Sequence, residues 1–134
     1  MSMFSIFNVS GSAISAQSQR LNVVASNLAN VDAVAGPDQQ PYKARQVVFQ
    51  TTLMGAESAA GVKVKEITES QQPGRKVLDP TSPMADADGY VTHSNVNAVD
   101  EMVNMISASR SYQNNVEVMN TAKTLLLKTL QMGQ

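Results

Sequence analysis

Hydrophobic positions recur at helical spacing near both ends of the chain and alternate in the middle. No Pro or Gly interrupts Ala98 to Met132, where Met102, Met105, Ser109, Tyr112, Val116, Met119, Leu126 and Leu130 fall at three- and four-residue steps, with Lys123 in the one gap. That heptad-like seam sets one stripe of a helix against another helix. Asn97 is placed to cap it, with Asp100 three residues on as a short capping box. Asp100 and Glu101 sit near the positive end of the helix dipole, Lys123 and Lys128 toward the negative end, and Gly133 stops the helix. A helix of about 35 residues is on the order of 50 Å long and needs an equally long partner.

The N-terminal segment supplies one. Phe7, Ile14, Leu21 and Leu28 fall at seven-residue intervals, and Val24 and Val31 fill the second heptad position of the last two turns. Ser10 and Gln17 hold that position earlier, so the seam starts weakly and tightens toward Val31. Apart from the terminus, Arg20 is the only charged side chain before Asp32. A helix whose other face is Ser, Gln and Asn is not an ordinary solvated surface helix and reads as surrounded by protein. Gln17 and Lys123 weaken a simple two-helix contact while specifying its register. The methionines of the C-terminal seam read as packing, between chains as well as within one.

Between the helices, Asp32 to Pro41 is loop chemistry, with Gly36-Pro37-Asp38 and Pro41. From Tyr42 to Leu53 the chain alternates, placing Val47, Phe49, Thr51 and Leu53 on one face of a strand. Gly55 to Gly61 is a small, flexible connection, and Val62 to Ile67 a second strand whose Lys63 and Lys65 suit an exposed edge. Gln71 to Pro83 is irregular around a possible short strand at Val77-Leu78, Asp88-Gly89 is a turn, and Tyr90-Val91-Thr92 a last short strand. The fold class is α+β: long N- and C-terminal helices pair as a coiled-coil-like hairpin around a small β-rich insert. The boundaries fall at 1–34, 35–96 and 97–134.

Composition narrows the function. A formal net charge of −1 draws the chain neither to nucleic acid nor to anionic lipid. With no Cys there is no disulfide, thiolate nucleophile or Cys-based metal site. No apolar run approaches the ~18 residues of a membrane span. The N-terminus lacks the basic and apolar regions of a cleaved secretory signal, so export would use a route that reads no such signal. Three Phe, three Tyr and no Trp leave little for a large globular core.

Candidate chemistry is thin. His93, the only histidine, lies in a short polar stretch beside Ser94 and Asn95 and is expected to be exposed. Asp86-Ala87-Asp88-Gly89 resembles the start of a calcium loop but lacks its third acidic position and distal Glu, so it reads as a turn. Asn8-Val9-Ser10 fits a glycosylation sequon inside the expected helix. Nothing predicts a catalytic residue, cofactor or metal.

The run Ser10-Gly11-Ser12-Ala13 to Ala25-Ser26-Asn27-Leu28-Ala29-Asn30 resembles the N-terminal signature of the bacterial flagellar rod and hook proteins. Asn95-Val96-Asn97 and Glu101-Met102 through Ser107-Ala108-Ser109-Arg110-Ser111-Tyr112-Gln113-Asn114-Asn115 resemble the matching C-terminal signature. Asp32 to Gln40, before Pro41-Tyr42-Lys43, departs from the usual Thr-x-Gly-Tyr turn and, with Asp88-Gly89-Tyr90-Val91, is similar to the proximal-rod members. The resemblance covers nearly the whole chain. It implies export through the flagellar type III apparatus without signal cleavage, and polymerisation into the periplasmic rod of the basal body. The partners implied are other rod subunits and the inner-membrane ring or its adaptor, in a hetero-oligomeric helical assembly. The paired helices would line the inner tube, with the β insert outside and torque transmission as the function.

Such sparsely charged helices are marginal alone, so the free monomer is expected to have disordered termini that order on assembly. Asn27 and Asn30 are placed either to cap the first helix or to bridge to a neighbour; the sequence leaves both open. The competing class is a helical adaptor or secretion chaperone. Ordered polymers, rather than soluble one-to-one complexes, would separate the two.

Overall fold

The computed structural model describes residues 3–55 and 59–133. In chain order the elements are α1 (Met3–Ala29), β1 (Val34–Ala35), β2 (Arg45–Leu53), β3 (Ala60–Glu69), β4 (Lys76–Leu78), β5 (Tyr90–His93) and α2 (Ala98–Met132). Two long helices thus flank a small β region, as the periodicity predicts.

The ends of α2 follow from their residues. Asn97 Oδ1 accepts hydrogen bonds from the backbone N–H groups of Val99 (3.0 Å) and Asp100 (3.3 Å), satisfying two of the helix's unpaired donors. Asp100 and Glu101 occupy the first turn, and Gly133 N closes the end on Thr129 O at 3.1 Å. No basic residue reaches the last turn, so Lys128 complements the dipole from further in. α1 has no acidic residue in its first turn and no basic residue in its last.

β1, β5 and β4 form an antiparallel sheet in that order, pairing Val34 with His93, Ala35 with Thr92, Lys76 with Thr92 and Leu78 with Tyr90. β1 lies inside the segment expected to be loop. Two residues show no periodicity, and β5 supplies the pairing that makes them a strand. The turn before β5 is built on Asp86, whose Oδ1 accepts from the N–H groups of Asp88 and Tyr90, both at 2.9 Å. Gly89 completes it at φ +85°, where a Cβ would sit 3.3 Å from Pro80.

β2 and β3 form a separate two-stranded ribbon. Met54 N bonds Ala59 O near one end and Ser70 N bonds Ala44 O at the other, an antiparallel pairing. Within the Gly55–Gly61 connection, residues 56–58 lie outside the described residues. Both strands are edges, and Lys63 and Lys65 stand exposed on β3, charges that discourage edge-to-edge pairing.

The chain clusters into two compact units. One gathers α1 up to Leu21, the ribbon over Val47–Glu66 and α2 from Ile106; the other gathers Asn22–Gln46 and Ile67–Met105. In the first, Ser12 fastens the ribbon to α1: its hydroxyl donates to Val9 O at 2.7 Å and accepts from Val62 N at 3.1 Å. The approach is so close that a Cβ on Gly61 would lie 2.7 Å from both Ser12 Oγ and Met54 Sδ.

Burial on α2 does not follow the stripe of large apolar residues. Glu101, Ala108 and Ala122 are buried at multiples of seven, with half-buried Asn115 completing the line. Met102, Met105 and Leu130 are exposed, whereas Tyr112, Val116, Met119 and Leu126 are half-buried. The buried line of α2 is therefore offset by one residue from the expected seam, with the small Ala108 and Ala122 at its most deeply buried positions. On α1 no such offset occurs: Ser10 and Val24, both on the expected seam, are buried together with Ala16 and Asn27, while Phe7, Ile14, Leu21 and Leu28 are half-buried.

Gly89→Ala should destabilise the insert by about 1–2 kcal/mol, the cost of a Cβ in the left-handed region. Urea unfolding followed by circular dichroism measures this, and an unchanged midpoint would contradict the turn geometry.

Candidate functional site

The most specific arrangement in the chain lies within the second unit, where α1 ends and β2 begins. Asn27 is the largest fully buried side chain among the described residues. Its Nδ2 donates to Arg45 O at 2.8 Å and its Oδ1 accepts from Arg45 N at 2.9 Å, so the amide acts as a one-residue strand partner. The same Oδ1 accepts from Tyr42 OH at 2.9 Å, and that hydroxyl lies 3.0 Å from Ser26 Oγ. Asn30 instead turns back on its own helix, donating from Nδ2 to Ser26 O at 2.8 Å. Of the two asparagines, one joins elements within the subunit and the other is a local cap.

The segment before α2 reaches the same place. Asn95 Oδ1 accepts from Ala44 N at 2.6 Å, and its Nδ2 donates to Ser70 O (3.1 Å) and Gln72 O (2.9 Å). Ser94 donates from Oγ to Val31 O (2.8 Å) and from its backbone N to Ala33 O (3.0 Å). All four backbone polar groups of Ala44 and Arg45 are thereby satisfied: Ala44 N by Asn95, Ala44 O by Ser70 N, and Arg45 N and O by Asn27. Outside this knot Arg45 lies 5.7 Å over the Tyr42 ring and 3.9 Å from Glu69, both side chains about half exposed, an ion pair worth little by itself.

The remaining candidates divide by exposure. Val24 is buried, and Val31 and Asn30 are half-buried, like the large apolar residues of α1. On α2, Met102 is 55% and Leu130 59% exposed, beside exposed Val99, Val103, Ile106, Val118, Leu125, Leu127 and Met132. Val118, Leu125 and Met132 repeat at seven-residue intervals, forming an uncovered apolar stripe. The most deeply buried hydrophobic residues are, by contrast, mostly alanines: Ala16, Ala35, Ala44, Ala59, Ala108 and Ala122, with Val24 and Val91.

His93 is half-buried rather than exposed; its backbone N donates to Arg75 O at 2.7 Å, and its Nδ1 is buried without a partner. Among the described residues no three His, Asp or Glu side chains are grouped to hold a metal ion, and no helix is long and apolar enough to cross a membrane.

These two anchoring segments are also where known proteins match. Residues 7–37 fit the family model described as flagella basal body rod protein, and residues 87–132 fit that of the flagellar basal body rod FlgEFG protein C-terminal. The flagellar basal-body rod protein FlgC of Yersinia enterocolitica is 58% identical over 134 residues, covering all of both chains. That of Salmonella typhimurium is 57% identical over the same span, and that of Buchnera aphidicola from Acyrthosiphon pisum 47% over 136 residues, again covering both fully. The chain belongs to the flagellar basal-body rod proteins. It is a structural subunit of the rod, and the apolar residues on its helices are read in that light. The family matches contain Asn27 and Asn95 but stop short of residues 38–86, which hold the backbone these side chains grip.

Sequence reasoning placed Asn27 correctly in α1 but missed Tyr42 and Asn95 as its structural companions, and Ser12 as the fastening of the ribbon in the first unit. Their partners are 15 to 51 residues away, beyond the reach of local pattern. Asn27→Asp keeps the acceptor but turns the donor facing Arg45 O into a second acceptor. Each buried polar group left unpaired costs about 1–3 kcal/mol, so this variant should fall at least about tenfold in basal-body incorporation. Asn30→Ala, which loses one local bond, should stay within about twofold. Quantifying the chain in purified basal bodies from a strain lacking its own copy decides between them.

Proposed function

We propose that this chain polymerises through its terminal helices into the proximal part of the periplasmic rod, as one section of the torque-transmitting drive shaft. The observation that carries this reading is the division of α2, where small residues face inward and ten large apolar side chains stay exposed. A helix of 35 residues spans about 50 Å, and leaving its apolar stripe in water is unfavourable by ~25 cal/mol per Å². Neighbouring subunits that cover the stripe supply the missing burial.

On this reading the partners are other rod subunits and, at the base, the inner-membrane ring or its adaptor. The chain reaches them through the flagellar type III export apparatus without cleavage of a signal. The β2–β3 ribbon, with its charged edge, faces outward from the helices. Torque passes as shear across many helix contacts, with no chemical step. The dipole ends of α1 are uncompensated and its core is thin, which favours a monomer whose helices order only on assembly.

Amide hydrogen exchange on the purified monomer and on isolated basal bodies tests this directly. Protection at Ile14–Val31 and Met102–Leu130 should appear only in the basal body; equal protection in both states would overturn ordering on assembly. Leu125→Asp, at a position 50% exposed, should leave the monomer's circular dichroism and melting unchanged. Its incorporation into rods should fall by about tenfold or more, the effect of placing one charge in a covered apolar contact.

A further inference from the structure

Glu101 is only 6% exposed, and its Oε2 is buried without a hydrogen-bond partner. A carboxylate taken out of water in that state is unfavourable and is normally neutralised by a cation. The positive end of the α2 dipole offsets part of the charge but supplies no bond to Oε2. Glu101 lies in the wall of an open groove of about 430 Å³, within the second unit, lined also by Gln46, Ser70, Asn97, Asp100 and Asn104. No basic residue lines it. Arg45, the nearest arginine in sequence to that wall, is engaged with Glu69 and Tyr42 instead.

We propose that the groove receives an arginine side chain from a neighbouring axial subunit, with Glu101 as its buried counter-ion. This rests on the rod-subunit reading. Two carboxylates flanked by amide and hydroxyl oxygens suit a planar guanidinium, whose five donors meet acceptors on several walls at once. A metal ion is poorly served, because Asp100 and Glu101 are the only carboxylates lining the groove and no third His, Asp or Glu joins them among the described residues. An anionic group is repelled by Asp100 and Glu101.

Glu101 therefore opposes the ordering of α2 in a subunit without its neighbour and favours it in the assembly, and a merely structural residue has no such opposition of sign. Glu101→Gln keeps the shape and removes the charge. Its monomer should show helix content equal to or above that of wild type by circular dichroism, while its incorporation into basal bodies falls about tenfold or more. A benzophenone amino acid at Val103, on the groove's edge, should cross-link in purified basal bodies to a peptide containing an arginine. Glu101→Arg combined with that arginine→Glu should then restore incorporation. Wild-type incorporation of Glu101→Gln would overturn the proposal, as would joint loss of monomer helix content and assembly, a cross-linked peptide without a basic residue, or failure of the charge swap. A wild-type chain absent from basal bodies would overturn the rod-subunit reading itself, a distinct outcome.

Discussion

The buried amide of Asn27 is the constraint on which the arrangement around β2 depends. It is fully inaccessible and fills a place that an aliphatic side chain would normally take in a core. An amide in that place is stable only if its nitrogen and oxygen are both partnered, and here Nδ2 donates to Arg45 O while Oδ1 accepts from Arg45 N and Tyr42 OH, at 2.8–2.9 Å. Direction matters as much as energy. A hydrophobic contact tolerates a shift of an ångström or a rotation, whereas a paired donor and acceptor facing one backbone unit fix both register and orientation.

Asn95 applies the same logic from the other end of the chain. Its contact with Ala44 N brings the segment before α2 to the residue adjoining Asn27's target, so residues 68 apart in sequence hold neighbouring peptide units. Ser94 adds two bonds to the segment just after α1. With so few large apolar residues buried, these polar contacts rather than oil-like packing determine where the second unit's segments lie. Their weakness as a source of net stability is the complement of their strength as a source of geometry.

Much of this was legible from residue order, and the limits were physical. Helix identity and the Asn97 cap follow from local periodicity and local hydrogen-bond needs, and Asp86–Gly89 read as a turn for the same reason. The α2 seam did not, because two adjacent stripes share one period and hydrophobicity singles out the larger side chains. Burial chose the other stripe, where the small Ala108 and Ala122 admit close approach and Glu101 is buried in the first turn. β1 was invisible because its two residues become a strand only through β5. Asn27 was expected to cap α1 or to bridge to a neighbouring subunit, whereas its contact with Arg45, 18 residues on, does neither and joins two elements of one chain.

A subunit built this way separates two tasks that most globular proteins combine. Internal geometry is held by directional polar contacts that need little apolar area, which leaves the large side chains of α2 free to remain outside. Those side chains then carry a burial energy that is realised only between subunits. If the apolar stripe faced inward instead, the monomer would be more stable and the assembly would have less left to gain. Small residues at Ala108 and Ala122 keep that exchange one-sided, since they permit close approach while contributing little hydrophobic energy of their own. Stability deferred from the single chain to its contacts suits a part that must resist shear only once it is in place.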